Sequence, residues 1–269
     1  LMHAVDEGGI FSSGSGIGGD IGQLRGEGES LSGGGKSSGP MSFFKIYDDS
    51  AGSIKSGGKS RRAARMQTMR YHHPDSLTFI RSKVREDKKA LVLMENGYGP
   101  GMDGEAYQTV TYQNTNLSVR LDDHFFKQLN DGREIELRNV TDGKVIKKIP
   151  AEQMLKEISF GSWRVGDPAV QYESKIQEMH TCKNSGNINS SNPCSEYMFL
   201  DDTACNPASC ICKNAAKYYT GTEDPSLVLF DIYNSSVLTG NNKQIYYSYG
   251  DQCGNDDRIH FIIRIVFYL

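Results

Sequence analysis

Between Ser42 and Ile54 the apolar positions Phe43, Phe44, Ile46, Tyr47, Ala51 and Ile54 recur at helical spacing, and Gly57-Gly58 supplies a stop, so the pattern predicts a helix running into a loop. Residues Pro74 to Lys89 repeat the arrangement, with Asp75 in the first turn and a face rich in lysine and arginine. The stretch Thr109 to Leu121, TVTYQNTNLSVRL, has the β-branched and aromatic content of a strand region, and Asp122-Asp123 then opens a short helix. IELRNV and KVIKKI flank Thr141-Asp142-Gly143, which reads as a hairpin over Glu134 to Ile149. A further helix follows from Ala151 to Trp163, with Met154, Leu155, Ile158 and Phe160 expected inward. Helices alternating with strands predict an α/β architecture.

The amino-terminal part is different. Of 29 glycines, 13 fall within residues 1 to 40, which leaves little room for a long element. Two phosphate-binding patterns occur there. Gly14, Gly16 and Gly19 match the spacing of a dinucleotide fingerprint, but the residues after them are too glycine-rich for the helix that should hold the pyrophosphate. Gly35-Lys36-Ser37 resembles the end of a P-loop, yet Ser30 stands where its first glycine belongs.

A net charge of -3 argues against general binding to a nucleic-acid polymer, which needs an excess of Lys and Arg on one surface. Basic chemistry is local, in the glycine-flanked loop that groups Lys59, Arg61, Arg62 and Arg65. Such a loop is either a solvated charge run or a clamp for phosphate or carboxylate. No stretch approaches the roughly 20 apolar residues of a membrane span. The first residues, LMHAVDEGG, have neither a basic start nor an apolar segment for secretion, so a cytoplasmic protein without membrane partners is expected.

All six cysteines, Cys182, Cys194, Cys205, Cys210, Cys212 and Cys253, lie in the last third, a distribution unlike a disulfide-stapled secreted domain. Without a C-x-x-C pair or a well-spaced histidine they offer no structural metal site, and none is expected. In INSSNPCSEYMFLDDTACN, residues 188 to 206, Asn192, Cys194 and Glu196 alternate. On an extended segment they would share one face and bring together an amide, a thiol able to act as nucleophile or hydrogen-atom donor, and a carboxylate base. Cys205 could supply electrons by forming a disulfide. The same residues fit a tight Asn-Pro turn beside an ordinary buried cysteine.

HTCKNSGNINSSNPCSEYMFLDDTACNPAS closely resembles the active-site region of class II, adenosylcobalamin-dependent ribonucleotide reductases. So, in the order of that family, do LSGGGKSSGPMSFFKIYDD, KSGGKSRRAARMQTMRYHHPD, MDGEAYQ, YQNTNLSVRLDD and WRVGDPAVQY, covering residues from about 6 to about 209. The resemblance implies part of a ten-stranded α/β barrel, with the radical cysteine on a finger loop inside it. It implies adenosylcobalamin as radical source, Cys194 as the thiyl that removes the ribose 3′ hydrogen, Glu196 as acceptor of the 3′-hydroxyl proton, Asn192 as holder of the ribose hydroxyls, and Cys205 as a reductant. The reductant's partner cysteine has no counterpart before Cys182, so the chain is expected to be a catalytic-subunit fragment, inactive alone.

Ser38 and Gly39 match a substrate-contacting turn. Asp48 with Lys59, Arg61 and Arg62 matches an effector site for a deoxynucleoside triphosphate at a homodimer interface. A ribonucleotide substrate and a thioredoxin-type reductant complete the implied partners. Residues 210–269 resemble nothing in that family, and the expected organisation is a partial barrel domain over 1–209 with a divergent tail. Two functions from different classes remain: a reductase fragment, favoured by intact Asn192, Cys194 and Glu196, and a noncatalytic nucleotide-binding remnant that keeps the effector site.

Overall fold

A computed structural model describes residue 7, residues 9–11, 16–54, 64–101 and 104–203, and the strands Ser236–Thr239 and Lys243–Tyr246. The chain divides into two units, Leu1–Phe199 and Leu200–Leu269. In the second, Ser236–Thr239 (called β7 below) and Lys243–Tyr246 (β8) pair antiparallel, Ser236 opposite Tyr246 and Thr239 opposite Lys243.

The first unit is built on a parallel sheet of four strands, β1 (Gly16–Asp20), β2 (Ala64–Arg70), β3 (Thr115–Leu121) and β6 (Ala169–Tyr172), in the order β1-β2-β3-β6. Parallel neighbours need crossovers, and helices supply them. Between β1 and β2 runs α1 (Pro40–Ser53); between β2 and β3 run α2 (Ser76–Glu95) and the short α3 (Glu105–Thr109). The β3-to-β6 connection holds α4 (Asp123–Asn130), the hairpin β4 (Glu134–Arg138) and β5 (Val145–Pro150), and α5 (Ala151–Val165). After β6 comes α6 (Glu173–Met179).

Local chemistry sets the ends of these elements. Pro40 occupies the first turn of α1, where its missing N–H costs nothing, and Gly39 precedes it at φ 76°, a backbone state in which a side chain is strained. The Asp122 carboxylate accepts from the Phe125 N–H at 2.8 Å and caps α4. Left-handed Gly166 closes α5. Each expected element is present, and α2 runs six residues beyond the expected Lys89.

Alternation divides the sheet into two unlike faces. Met69, Leu117, Val119 and Leu121 pack with Phe44, Phe79, Ile80, Met154 and Ile158 from the helices and with Ile135, Leu137 and Ile149 from the hairpin, forming the main core. Phe160 does not join them, contrary to expectation. It lies off the Met154–Ile158–Gly161 stripe, is 46% exposed, and tilts against Trp163 with ring centroids 6.0 Å apart. The opposite face is polar. In register across it stand Asp20 beside Thr68, Thr68 beside Ser118, Arg70 beside Arg120, and Arg120 beside Gln171.

Candidate active site

The polar sheet face is buried under residues 188–197, and the hydrogen bonds between the two explain why polar residues can sit there. Gln177 of α6 begins the attachment: its Nε2 donates to the Ile188 carbonyl at 2.7 Å and its Oε1 accepts from the Ile188 N–H at 3.2 Å. Thr68 Oγ1 donates to the Asn189 carbonyl at 3.0 Å, and an Arg70 nitrogen donates to Asn189 Oδ1 at 3.1 Å. Asn116 Nδ2 donates to the Pro193 carbonyl at 2.8 Å. From β6, Gln171 Nε2 donates to Ser191 Oγ at 2.8 Å and to Ser195 Oγ at 3.2 Å. The remaining strand contributes by omission: a Cβ at Gly16 would come within 2.6 Å of Pro193 Cγ, and one at Gly18 would overlap the Ser191 carbonyl. All four strands therefore hold this loop.

Asn192, Pro193, Cys194 and Ser195 form a tight turn, closed by the Ser195 N–H donating to the Asn192 carbonyl at 3.0 Å. Extended alternation was the wrong geometry: Ser195 is left-handed, at φ 62°. Asn192 is bonded to Tyr197 twice, its N–H donating to the Tyr197 carbonyl at 3.1 Å and its Oδ1 accepting from the Tyr197 N–H at 3.0 Å. The Asn192 amide nitrogen is a donor that this pair does not use. The ordinary buried cysteine is also excluded, because Cys194 is exposed and not in a disulfide. Glu196, two residues on, is exposed as well. Thus the structure places Asn192 and Cys194 on one turn with Glu196 directly after it, the thiol and the carboxylate both accessible. Cys205 lies outside the described residues.

A charge network anchors the same face. Arg70 pairs with Asp20 at 3.2 Å and with Glu173 at 3.3 Å, and Arg120, wholly buried, pairs through Nε with Glu173. Burial pushes the Asp20 carboxyl up, against the opposing pull of Arg70. Burial likewise pulls the Arg120 guanidinium down, with Glu173 opposing. Ser118 Oγ, both terminal nitrogens of Arg120 and Gln171 Oε1 are buried with no protein partner.

Ser38 is exposed and its hydroxyl lies 2.9 Å from that of Ser42, while Gly39 is buried at the start of α1. Asp48, expected to hold a ribose hydroxyl, is bonded within the fold. It is 1% exposed, and it accepts from the Asn114 N–H at 2.9 Å, Thr115 Oγ1 at 2.8 Å and Asn114 Nδ2 at 3.4 Å, tying α1 to the start of β3. Lys59, Arg61 and Arg62 lie outside the described residues. Arg65, grouped with them in the sequence, is instead a buried member of β2 that pairs with Glu7 and stacks 4.2 Å over the Tyr47 ring. Gly16 to Gly19 belong to a strand rather than to a phosphate loop.

Gln171, Asn116, Arg70 and Glu173 were not singled out by sequence reasoning. The signal available for Asn116 was the strict alternation of Asn116, Ser118 and Arg120 with Leu117, Val119 and Leu121. It marks a strand whose second face is polar.

Fold and site define an α/β protein that presents an accessible thiol on a turn docked across the polar face of a parallel sheet. The family model described as ribonucleotide reductase, barrel domain, matches residues 2–227, and the chain belongs to that family. Among curated relatives, the vitamin B12-dependent ribonucleotide reductase of Rhodopirellula baltica is 49% identical over 211 residues, covering 78% of this chain and 20% of the relative. That of Streptomyces coelicolor is 45% identical over 204 residues, covering 76% and 21%. The vitamin B12-dependent ribonucleoside-diphosphate reductase of Thermoplasma acidophilum is 33% identical over 231 residues, covering 86% and 26%. The chain thus spans between a fifth and about a quarter of the length of these relatives.

Proposed function

We propose that this chain supplies the reacting thiol for reduction of ribonucleotides to 2′-deoxyribonucleotides, as part of a ten-stranded α/β barrel in which residues 188–197 are the finger loop. One observation carries the reading: Cys194 is exposed at the apex of a turn that all four parallel strands hold in place.

Adenosylcobalamin would meet the chain at Cys194, whose thiol is exposed and not in a disulfide. When bound, it would supply a carbon-centred radical able to take a hydrogen atom from an accessible thiol. The Cys194 sulfur then takes the ribose 3′ hydrogen. Glu196 accepts the 3′-hydroxyl proton, and the Asn192 amide protons hold the ribose hydroxyls while the 2′ hydroxyl leaves as water. Cys205 and a second thiol provide two electrons and two protons, one proton leaving with the 2′ hydroxyl and one hydrogen going to the 2′ carbon, and become a disulfide, while Glu196 returns its proton to the 3′ oxygen and Cys194 its hydrogen to the 3′ carbon. A thioredoxin-type dithiol restores the pair.

Ser38 and Gly39 are assigned to the substrate, and Lys59, Arg61 and Arg62 to the phosphates of a deoxynucleoside triphosphate effector. Asp48 positions the helix that leads into that basic loop, and a homodimer contact along this helix belongs to the same reading.

The test is a chimera in which residues 6–203 replace the matching span of the Rhodopirellula baltica protein. Vitamin B12-dependent conversion of a ribonucleotide to its deoxy form is expected, with Cys194→Ala lowering turnover by at least about a hundredfold. Turnover that survives Cys194→Ala would overturn the proposal.

A further inference from the structure

We propose that Gln171 is a positioning residue that sets the direction of the Cys194 thiol through Ser191 and Ser195, an inference that rests on Cys194 being the reacting thiol. Gln171 projects from β6 onto the polar face, is 2% exposed, and reaches a hydroxyl on each side of the turn. Donor accounting fixes its orientation. Ser191 Oγ spends its one proton on the Asn192 carbonyl at 3.0 Å, so it accepts from Gln171. The Ser195 hydroxyl, 3.1 Å from Ser191 Oγ, donates its proton there and accepts the second Gln171 N–H. Both amide protons are thereby used, and a reversed amide would face lone pairs with an oxygen.

The thiol depends on this arrangement because Cys194 has no side-chain partner of its own among the described residues. Its direction follows from its two chain neighbours. Pro193 is held by Asn116 through its carbonyl and by the bare Gly16 beneath its ring. Ser195 is left-handed at φ 62°, a strained state for a residue with a Cβ, and its hydroxyl is attached to the sheet only through Gln171 and Ser191. Without Gln171, Ser195 is free to return to an ordinary backbone state, and the Cα–Cβ bond of Cys194 turns with it.

The donor balance also predicts the effect of an isosteric acid. A carboxylate in Gln171→Glu keeps the bulk of the side chain but has no proton to give Ser191 or Ser195, so it breaks the same ring of hydrogen bonds as Gln171→Ala.

The experiment uses the full 269-residue chain as wild type, Q171A, Q171E, S195A and Q171A/S195A, with two readouts. These are amide exchange at Ser195 and Tyr197, and the iodoacetamide alkylation rate of Cys194 against Cys182 as internal reference. In Q171A, exchange at Ser195 and Tyr197 is expected to rise at least about tenfold and Cys194 alkylation to change at least about threefold, with Cys182 unchanged. The double variant should be no worse than Q171A alone, since both changes break one ring of hydrogen bonds. Q171E, which keeps the bulk and lacks both protons, should move both readouts in the same direction as Q171A. In the chimera, Q171A should lower kcat about 10- to 100-fold with KM within about twofold, because a displaced thiol impairs the reaction and not substrate binding.

Unchanged exchange and alkylation in Q171A would overturn the inference, as would wild-type behaviour of Q171E. If Q171A fails to fold, S195A decides: it leaves β6 intact and must loosen Tyr197 and Cys194 selectively. A chimera inactive even with Gln171 would count against the reductase reading alone, because exchange and alkylation judge the positioning role without turnover.

Discussion

Gly18 of β1 lies directly beneath Ser191, so close that a Cβ there would overlap the Ser191 carbonyl oxygen and stand 2.6 Å from its carbon. The obstacle is backbone, which cannot swing aside as a flexible side chain can. Gly19, the next residue, faces the other way, and its nearest contact would be the end of Arg65 at 3.7 Å. Gly18→Ala is therefore expected to cost about 1–3 kcal/mol as an overpacked contact and to expose Cys194 to faster alkylation. Gly19→Ala should leave both the denaturation midpoint and the alkylation rate near wild type. Similar behaviour of the two variants would contradict the docking of the turn on β1.

Glu29 makes a second, pH-dependent link. Its carboxylate accepts from the Gly26 N–H at 2.7 Å, the Val140 N–H at 3.0 Å, and the Thr141 N–H and Oγ1 at 3.1 and 2.8 Å. Burial alone would raise its pKa, but the bonds from Val140, Gly26 and Thr141 outweigh burial and hold it below the usual 4.5. A carboxyl depressed by folding adds stability that is fully present above pH 4.5 and is lost as pH falls through the folded value. Glu29→Gln should cost about 1–3 kcal/mol at neutral pH, by placing an amide N–H against these donors. It should also flatten the acid limb of the stability profile, which urea titration between pH 3 and 7 would measure. An unchanged acid limb would remove Glu29 from this role.

Asp48 should show the opposite pH dependence. Burial raises its carboxyl above 3.8, with the Thr115 and Asn114 hydrogen bonds opposing. Its contribution is therefore greatest at low pH and declines as pH rises from about 3.8 through the raised folded value. Asp48→Asn keeps an acceptor for Thr115 and the Asn114 N–H and removes the buried charge, so at pH 7 it is expected to be no less stable than wild type. Asp48→Ala leaves those donors unpaired and should cost about 1–3 kcal/mol. Chemical denaturation of both variants would decide, and equal stability of all three proteins would refute the tie between α1 and β3.

Glu173 is the shared partner of Arg70 and the fully buried Arg120. Glu173→Gln leaves Arg120 without its charged partner, and breaking a buried pair in this way costs about 3–5 kcal/mol, reduced here because Glu173 is itself 17% exposed. A drop of at least about 2 kcal/mol in unfolding free energy is expected on that scale. A change under about 0.5 kcal/mol, the range of an ordinary surface substitution, would show that Arg120 is satisfied in another way.

Much of the architecture was legible in the chain because periodicity is a local property. The spacing of Phe44, Asp48 and Ala51 on one face of α1, the Asp122 cap and the Thr141-Asp142-Gly143 turn each act within a few residues of themselves. The family was legible too, since Asn192, Cys194 and Glu196 stand together in a segment that resembles it and the family model matches residues 2–227. Geometry was not. The alternating reading of residues 192 to 196 failed because a proline and a left-handed serine convert the segment into a turn, and the reason Ser195 adopts that state lies 24 residues away in Gln171.

The amino-acid sequence by itself thus determined the elements, their order and the chemical groups at the site, all of which follow from short-range patterns of side chains. Only the tertiary structure decided that Gly16 and Gly18 are bare so that a loop more than 170 residues later can lie on them. It also placed Arg65 and Asp48 inside, bonded to distant parts of the chain, and left Cys194 exposed. The physical reason is register: which residue faces the buried polar layer depends on how four strands from distant parts of the chain align, and that alignment is written in no single segment.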